Sequence, residues 1–424
     1  MKFNFYILVI IHVIMSFLFR IDSSLPTIHA IFISILGIYF AMTDKSTSRS
    51  IILIFYITGS ELLWRGMHAN IFWEFGKVST LAITFILLIR MGFKRLSNKL
   101  GLLIITLLLP SIIILEKINR QDLSHALLGP LVLGFCVLAF SNQVFNRKEL
   151  ITMLQALIFP IVGLLFLMIF STITKGDITY HAAYIYKSTT AGMGPNQASN
   201  ILGLGFFICF VLFMIDKNHR LMYLVFGILL FLQTIFTFSR GGLYNGILSI
   251  GIAYFFLITG KQKKIKFSLG FIVLITCLYI AILPRIDSIS EGAIVSRLSD
   301  QSVESRKVIL RSELIAFREN LMLGIGPGMS RAYRLYNFND PKHTHTEYTR
   351  LLAEHGTFGL FVIILLIGIT FKNFKSNKGI SKSIVISLAI WSFLFMMHSA
   401  TRLVAPSVIF ALSASHLKLN KKDK

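Results

Sequence analysis

Apolar runs long enough to cross a lipid bilayer recur along the whole chain, and they constrain the fold more than any other feature. A helix needs about 20 predominantly apolar residues to span the hydrocarbon core. Runs that meet or approach this length centre on 4 to 20, 25 to 42, 50 to 65, 73 to 90, 100 to 115 and 127 to 142. A second group covers 150 to 173, 198 to 216, 221 to 238, 242 to 259, 266 to 284, 357 to 371, 383 to 400 and 403 to 417. Together they predict an all-α integral membrane protein with about 12 to 14 transmembrane helices, of which the third, fifth and last are the weakest by the length criterion. Composition agrees, since 14% of residues are charged against roughly 25% in soluble domains. A soluble globular fold is excluded.

The net charge of +23 would suggest a nucleic-acid partner on a soluble chain. Here the cations sit in clusters between alternate spans, such as Arg90, Lys94, Arg95 and Lys99, or Lys261, Lys263, Lys264 and Lys266. Lys and Arg accumulate in cytoplasmic connections, so this pattern puts both termini in the cytoplasm and the odd-numbered connections outside, with no call for nucleic acid. Lys2 precedes an apolar stretch without a small-residue cleavage pattern, which reads as a retained first span. Cys136, Cys209 and Cys277 each lie within apolar runs, so they offer neither a disulfide framework nor a thiolate metal site.

Parity places the one long connection, 285 to 356, outside, and its ten basic residues face nine acids. The expected division is therefore eleven spans over 1–284, a large outer loop with two helices over 285–356, and the last three spans with a basic tail over 357–424. Within the loop, Leu310, Leu314, Phe317 and Leu321 fall on one helical stripe and Arg311 and Arg318 on another. A second helix is expected from a capping box, Thr344-His345-Thr346-Glu347, with Gly356 as its stop.

Polar residues outside the cytoplasmic clusters carry the functional information. Ser239-Arg240-Gly241-Gly242 joins two spans on the outer side, where paired glycines permit a sharp turn and close ligand approach; a linking turn with a snorkelling arginine fits as well. Gly324-Ile325-Gly326-Pro327-Gly328 lacks the βαβ context of a nucleotide loop and reads as a tight turn. His343 and His345 flank the Thr344 cap. At the first helical position the dipole would hold the His345 imidazole neutral and able to act as a general base, or both histidines simply border a surface helix. His-x-His lacks a third ligand at a recognised spacing, so no metal is assigned. Glu61 with Arg65 and Glu74 with Lys77 read either as pairs across a helix turn or as contacts for a lipid headgroup or acceptor. No Asp-x-Asp pair and no Walker loop occur.

The ordered set formed by Gly194-Pro195-Asn196, the Ser239–Gly242 turn, the arginine-bearing helix, the glycine turn at 324–328 and His345-Thr346-Glu347-Tyr348-Thr349-Arg350 through Glu354, Gly356 and Gly359 resembles the O-antigen ligase and O-antigen polymerase family of bacterial envelope enzymes. Where that family has His-Asn, this chain has His345-Thr346. The resemblance implies a GT-C-like fold in the bacterial inner membrane. It implies a metal-independent, inverting glycosyltransferase without a cofactor, working on the periplasmic face. The donor it implies is an undecaprenyl-pyrophosphate-linked glycan, and the acceptor is lipid A core (ligase) or a second lipid-linked glycan (polymerase); a chain-length regulator is an open partner. Arginine forks suit a pyrophosphate leaving group, so Arg240, Arg306, Arg311 and Arg318 are the expected clamp. His345 is expected to orient or deprotonate the acceptor, with His343 and Thr346 as further contacts. The competing class, a flippase or transporter, predicts internal repeats and helices interrupted at the midplane; no such repeats are found.

Overall fold

Backbone polar groups in hydrocarbon must be satisfied within the segment, which leaves helices as the spanning elements of a chain like this. The computed structural model describes residues 4–44, 46–92, 96–114, 120–174, 189–289, 302–340, 342 and 344–419, and within them the architecture is almost entirely helical. In order come α1 (Phe5–Ile21), α2 (Ser24–Thr43), α3 (Ser48–Gly66), α4 (Phe75–Met91), α5 (Leu100–Leu108), α6 (Arg120–Phe140) and α7 (Arg147–Thr174). Then follow α8 (Pro195–Ile215), α9 (Arg220–Phe236), α10 (Arg240–Leu257), α11 (Lys261–Ile289), α12 (Ser302–Glu319), α13 (Ser330–Phe338), α14 (Glu347–Ser376), α15 (Gly379–Ser399) and α16 (Ala405–Ser413). Six of these, α2, α6, α7, α8, α14 and α15, are long and apolar enough to cross a membrane.

Helices differ in what covers them. On α2, Ala30, Ser34, Gly37 and Ala41 face the protein while Ile28, Phe32, Ile35 and Tyr39 are exposed, the small-inside, large-outside pattern of a lipid-facing helix. By contrast α7 is enclosed, packed by α1, α3 and α8. Two of the weaker expected spans prove short: 100 to 115 is the nine-residue α5 followed by a 3-10 turn, Pro110–Ile114, and 403 to 417 contains the nine-residue α16, buried on every side. Beyond α16 the chain forms β2 (His416–Lys418), which pairs in parallel with β1 (Val144–Asn146), Phe145 opposite Leu417.

The long connection over 285–356 differs from expectation in four ways. A third helix, α13, stands between the two expected ones. On α12 the buried residues are Ile309, Ser312, Glu313 and Ala316, whereas Leu310 and Leu314 are exposed, as is Leu321 just past the helix end. The reason is Arg334 of α13, fully buried, which draws the Glu313 carboxylate inward at 3.1 Å. The capping box is also absent: α14 starts at Glu347 with Thr346 as N-cap, and the Thr344 hydroxyl donates to Glu313 at 2.6 Å instead. Gly356 is not a stop but a kink (φ 59°, ψ −136°) inside a 30-residue helix. There the Thr357 amide donates to the Leu321 carbonyl at 2.7 Å, and a Cβ on Gly356 would lie 2.5 Å from that same oxygen.

Candidate active site

A cavity of about 260 Å³ opens where six elements and links of the chain converge. Trp73, Glu74 and Lys77 enter from the start of α4, Asp122 and His125 from α6, and Gln197 from α8. Ser330 and Arg331 come from α13, Arg350 and Glu354 from α14, and Thr401 and Arg402 from the link between α15 and α16. Thr344 completes the wall.

Its framework is a chain of charged hydrogen bonds. Glu347 lies in the first turn of α14, where the helix dipole favours an anion. It accepts from the Thr401 amide (2.9 Å) and hydroxyl (3.1 Å) and from Arg350 Nη2 (2.5 Å). Arg350 reaches on to the His125 carbonyl at 3.0 Å, so one guanidinium joins α14 to α6. Arg402 donates to the Thr344 carbonyl at 2.8 Å. Behind the cavity, Glu61 pairs with Arg65 at 2.6 Å and accepts from the Val404 amide at 2.8 Å, while Arg65 donates to the Arg402 carbonyl and stacks over Trp73 at 4.5 Å. The 400–404 link is thus pinned from two sides. Ala400 in it takes φ +50° without being glycine, a conformation that costs of order 1–3 kcal/mol and persists only when its surroundings enforce it.

Lys77, Arg331, Arg350 and Arg402 bring four cations to one cavity. Burial first, and the nearby Arg350 charge second, push the Arg402 guanidinium below its ordinary pKa. An anion in the cavity would relieve that repulsion. Arg331 lies 3.9 Å from Asp122 and is half-buried, and Glu354 accepts from the Ser330 amide at 3.4 Å. The glycine turn expected at 324–328 braces this wall, with Ile325 and Gly326 amides donating to the Ala353 and Glu354 carbonyls. Among the described residues no three His, Cys, Asp or Glu side chains converge as a metal ion would need.

Of the residues singled out in the sequence, Glu74 and Lys77 line the cavity, and Glu61 and Arg65 stand behind it. His345 and Thr346 follow Thr344 in the extended segment before α14, rather than at the first helical position for His345, and neither is part of the wall. Arg240 is exposed at the first position of α10, outside the wall. Its turn adjoins the site, because the Ser239 hydroxyl bonds to Asn196, the neighbour of Gln197, and Gly241 packs against His398. Arg311 and Arg318 are exposed on α12 and do not reach the cavity. His343 and the Arg306 side chain lie outside the described residues. Arg350, Arg402, Arg331 and His125 were not singled out. A trace of Arg350 and Glu354 was available in their four-residue spacing directly after the histidine motif; Arg402 follows an apolar run and gave no signal.

Residues 225–364 match the O-antigen ligase family. Over that third of its length the chain is similar to the O-antigen ligase family. The matched stretch carries Arg240, α12, α13, His345, Arg350 and Glu354, while Gly194-Pro195-Asn196 lies outside it. The family implies O-antigen ligase-type glycosyltransferase activity in a multi-pass membrane protein. No curated protein matches the chain. The remaining cavity cations, Lys77 and Arg402, and His125 come from outside the matched stretch.

Proposed function

We propose that the protein transfers a glycan from undecaprenyl pyrophosphate to a sugar hydroxyl on the periplasmic side of the bacterial inner membrane, with both termini in the cytoplasm. The supporting observation is the convergence of Lys77, Arg331, Arg350 and Arg402 on one cavity. A departing lipid pyrophosphate carries its own charge and needs cations placed in advance rather than a proton donor, and guanidinium forks match phosphate oxygens. Displacement at the anomeric carbon by the acceptor oxygen in one step gives inversion and asks for no metal. Arg240, whose turn adjoins the site, forms the outer part of the clamp in this proposal. His345, next to Thr344 of the wall, meets the acceptor.

The test is transfer in lipid nanodiscs from undecaprenyl-pyrophosphate-linked oligosaccharide to an added oligosaccharide acceptor. Arg402→Ala is expected to weaken donor binding about 10- to 100-fold, the factor for losing one hydrogen bond to a charged group. His345→Ala and Arg240→Ala are expected to abolish product while the protein still inserts. Normal product from all three variants would refute the site. The acceptor class is read from lipopolysaccharide of a deletion strain on an SDS gel: polymer stranded on the carrier lipid means ligase, single repeat units on the core mean polymerase.

A further inference from the structure

Glu74, His125 and Lys77 form a polar triad on the cavity wall, and of the three the anion-binding reading uses Lys77 alone. His125 Nδ1 lies 2.5 Å from Glu74 Oε1, and Lys77 Nζ lies 2.6 Å from Glu74 Oε2. Glu74 and Lys77 are buried, with side chains 6% and 1% exposed, whereas the His125 side chain keeps 32% of its surface and lines the cavity. Glu74 at the start of α4 holds the ring, and Arg350 holds the His125 main chain by donating to its carbonyl.

A carboxylate at Nδ1 selects one tautomer. Glu74 can only accept, so the neutral ring carries its hydrogen on Nδ1 and its lone pair on Nε2. Among the described residues no protein group bonds to Nε2. A joint between α4 and α6 would not need this arrangement, because burying Lys77 and Glu74 costs more than apolar residues of the same volume would. Their expense is explained if the oriented ring faces substrate, the role of the carboxylate-imidazole pair wherever a hydroxyl must be made nucleophilic.

We infer that His125 is the general base for the acceptor hydroxyl, with Glu74 and Lys77 as positioning residues. This rests on the glycosyl-transfer reading of the cavity. The acceptor O–H proton passes to His125 Nε2 as its oxygen forms the new bond to the anomeric carbon. The bond from that carbon to the pyrophosphate oxygen breaks, and the lipid pyrophosphate leaves with the electron pair into the Arg350 and Arg402 side of the cavity. Glu74 stabilises the imidazolium, and His345 is left to orient the acceptor.

His125→Gln keeps a donor for Glu74 but has no basic nitrogen, and His125→Ala opens room for a soluble base. Both are assayed in nanodiscs for transfer and, separately, for binding of undecaprenyl pyrophosphate. Transfer is expected to fall about 10²- to 10⁴-fold, the usual worth of a general base, with lipid pyrophosphate binding unchanged. Added imidazole should restore part of the rate in His125→Ala and none in His345→Ala. Glu74→Gln should lower kcat while leaving the donor KM in place. Transfer by His125→Gln within about threefold of the parent protein, or a loss of lipid binding equal to the loss of transfer, would overturn the assignment while leaving the clamp intact. A parent protein that binds no lipid pyrophosphate and transfers nothing would remove the glycosyl-transfer reading and this inference with it.

Discussion

At the scale of residues, stability concentrates in a few buried ion pairs. Arg334 is fully buried and donates to Glu313 (3.1 Å) and to the Lys342 carbonyl (2.8 Å), while Glu313 also accepts from Thr344 (2.6 Å) and Thr349 (2.5 Å). Removing one partner of such a pair strands a charge, at about 3–5 kcal/mol. Glu313→Ala is therefore expected to lower the unfolding temperature markedly in detergent, with partial recovery in Glu313→Ala/Arg334→Met, where no charge is stranded. The sequence reveals such centres only when partners are neighbours. Glu61 with Arg65 and Glu74 with Lys77 were legible as pairs across one helix turn, and all four belong to the cavity or its support. Arg334 with Glu313, 21 residues apart on separate helices, was not, nor was Arg402, whose meaning depends on contacts with Thr344 and Arg65. His345 was legible as chemistry but misplaced by two positions, because Thr344 spends its hydroxyl on Glu313 rather than on the helix it precedes.

Among elements, close helix crossings carry the arrangement. Gly242 of α10 packs on α8, and a Cβ there would lie 1.8 Å from the Ser199 carbonyl oxygen. Backbone on one side and helix on the other leave nothing to yield, so Gly242→Ala must force α8 and α10 apart and shift Arg240, two residues away. A lower unfolding temperature together with lost transfer is expected. Gly270→Ala on α11, with nothing within 4 Å of the added carbon, is the matched control. It should leave both unchanged or raise stability by up to about 1 kcal/mol through helix propensity. The pair at Gly241 and Gly242 was visible in the sequence as a turn permitting close approach; that the approaching group is another helix follows only from the packing.

For the whole molecule, the all-α membrane architecture was readable because bilayer crossing imposes a minimum length on each apolar run. How many runs meet lipid was less readable, since burial in protein and burial in hydrocarbon select the same residues. The enclosed α3 and α16 are apolar for the first reason. The chain end follows from neither: β2 returns to β1, next to the start of α7, and the His416 amide donates to the Gln143 carbonyl at 3.2 Å. Truncation after Ser415 removes a few backbone hydrogen bonds worth about 1 kcal/mol each. The shortened protein is expected to insert normally and to unfold a few degrees lower, read by thermal melting of the purified protein.

One continuous backbone, α14, begins at the cavity with Glu347 and Arg350 and runs on as an apolar span to Ser376, bent at Gly356. A spanning helix answers a change in hydrocarbon thickness by tilting. Tilt in the lower part of α14 is then either passed upward to Arg350 or absorbed at the single residue whose torsions already depart from the helix. The bend at Gly356, where the Thr357 amide donates to the Leu321 carbonyl, is the one point along α14 at which its two parts differ in direction.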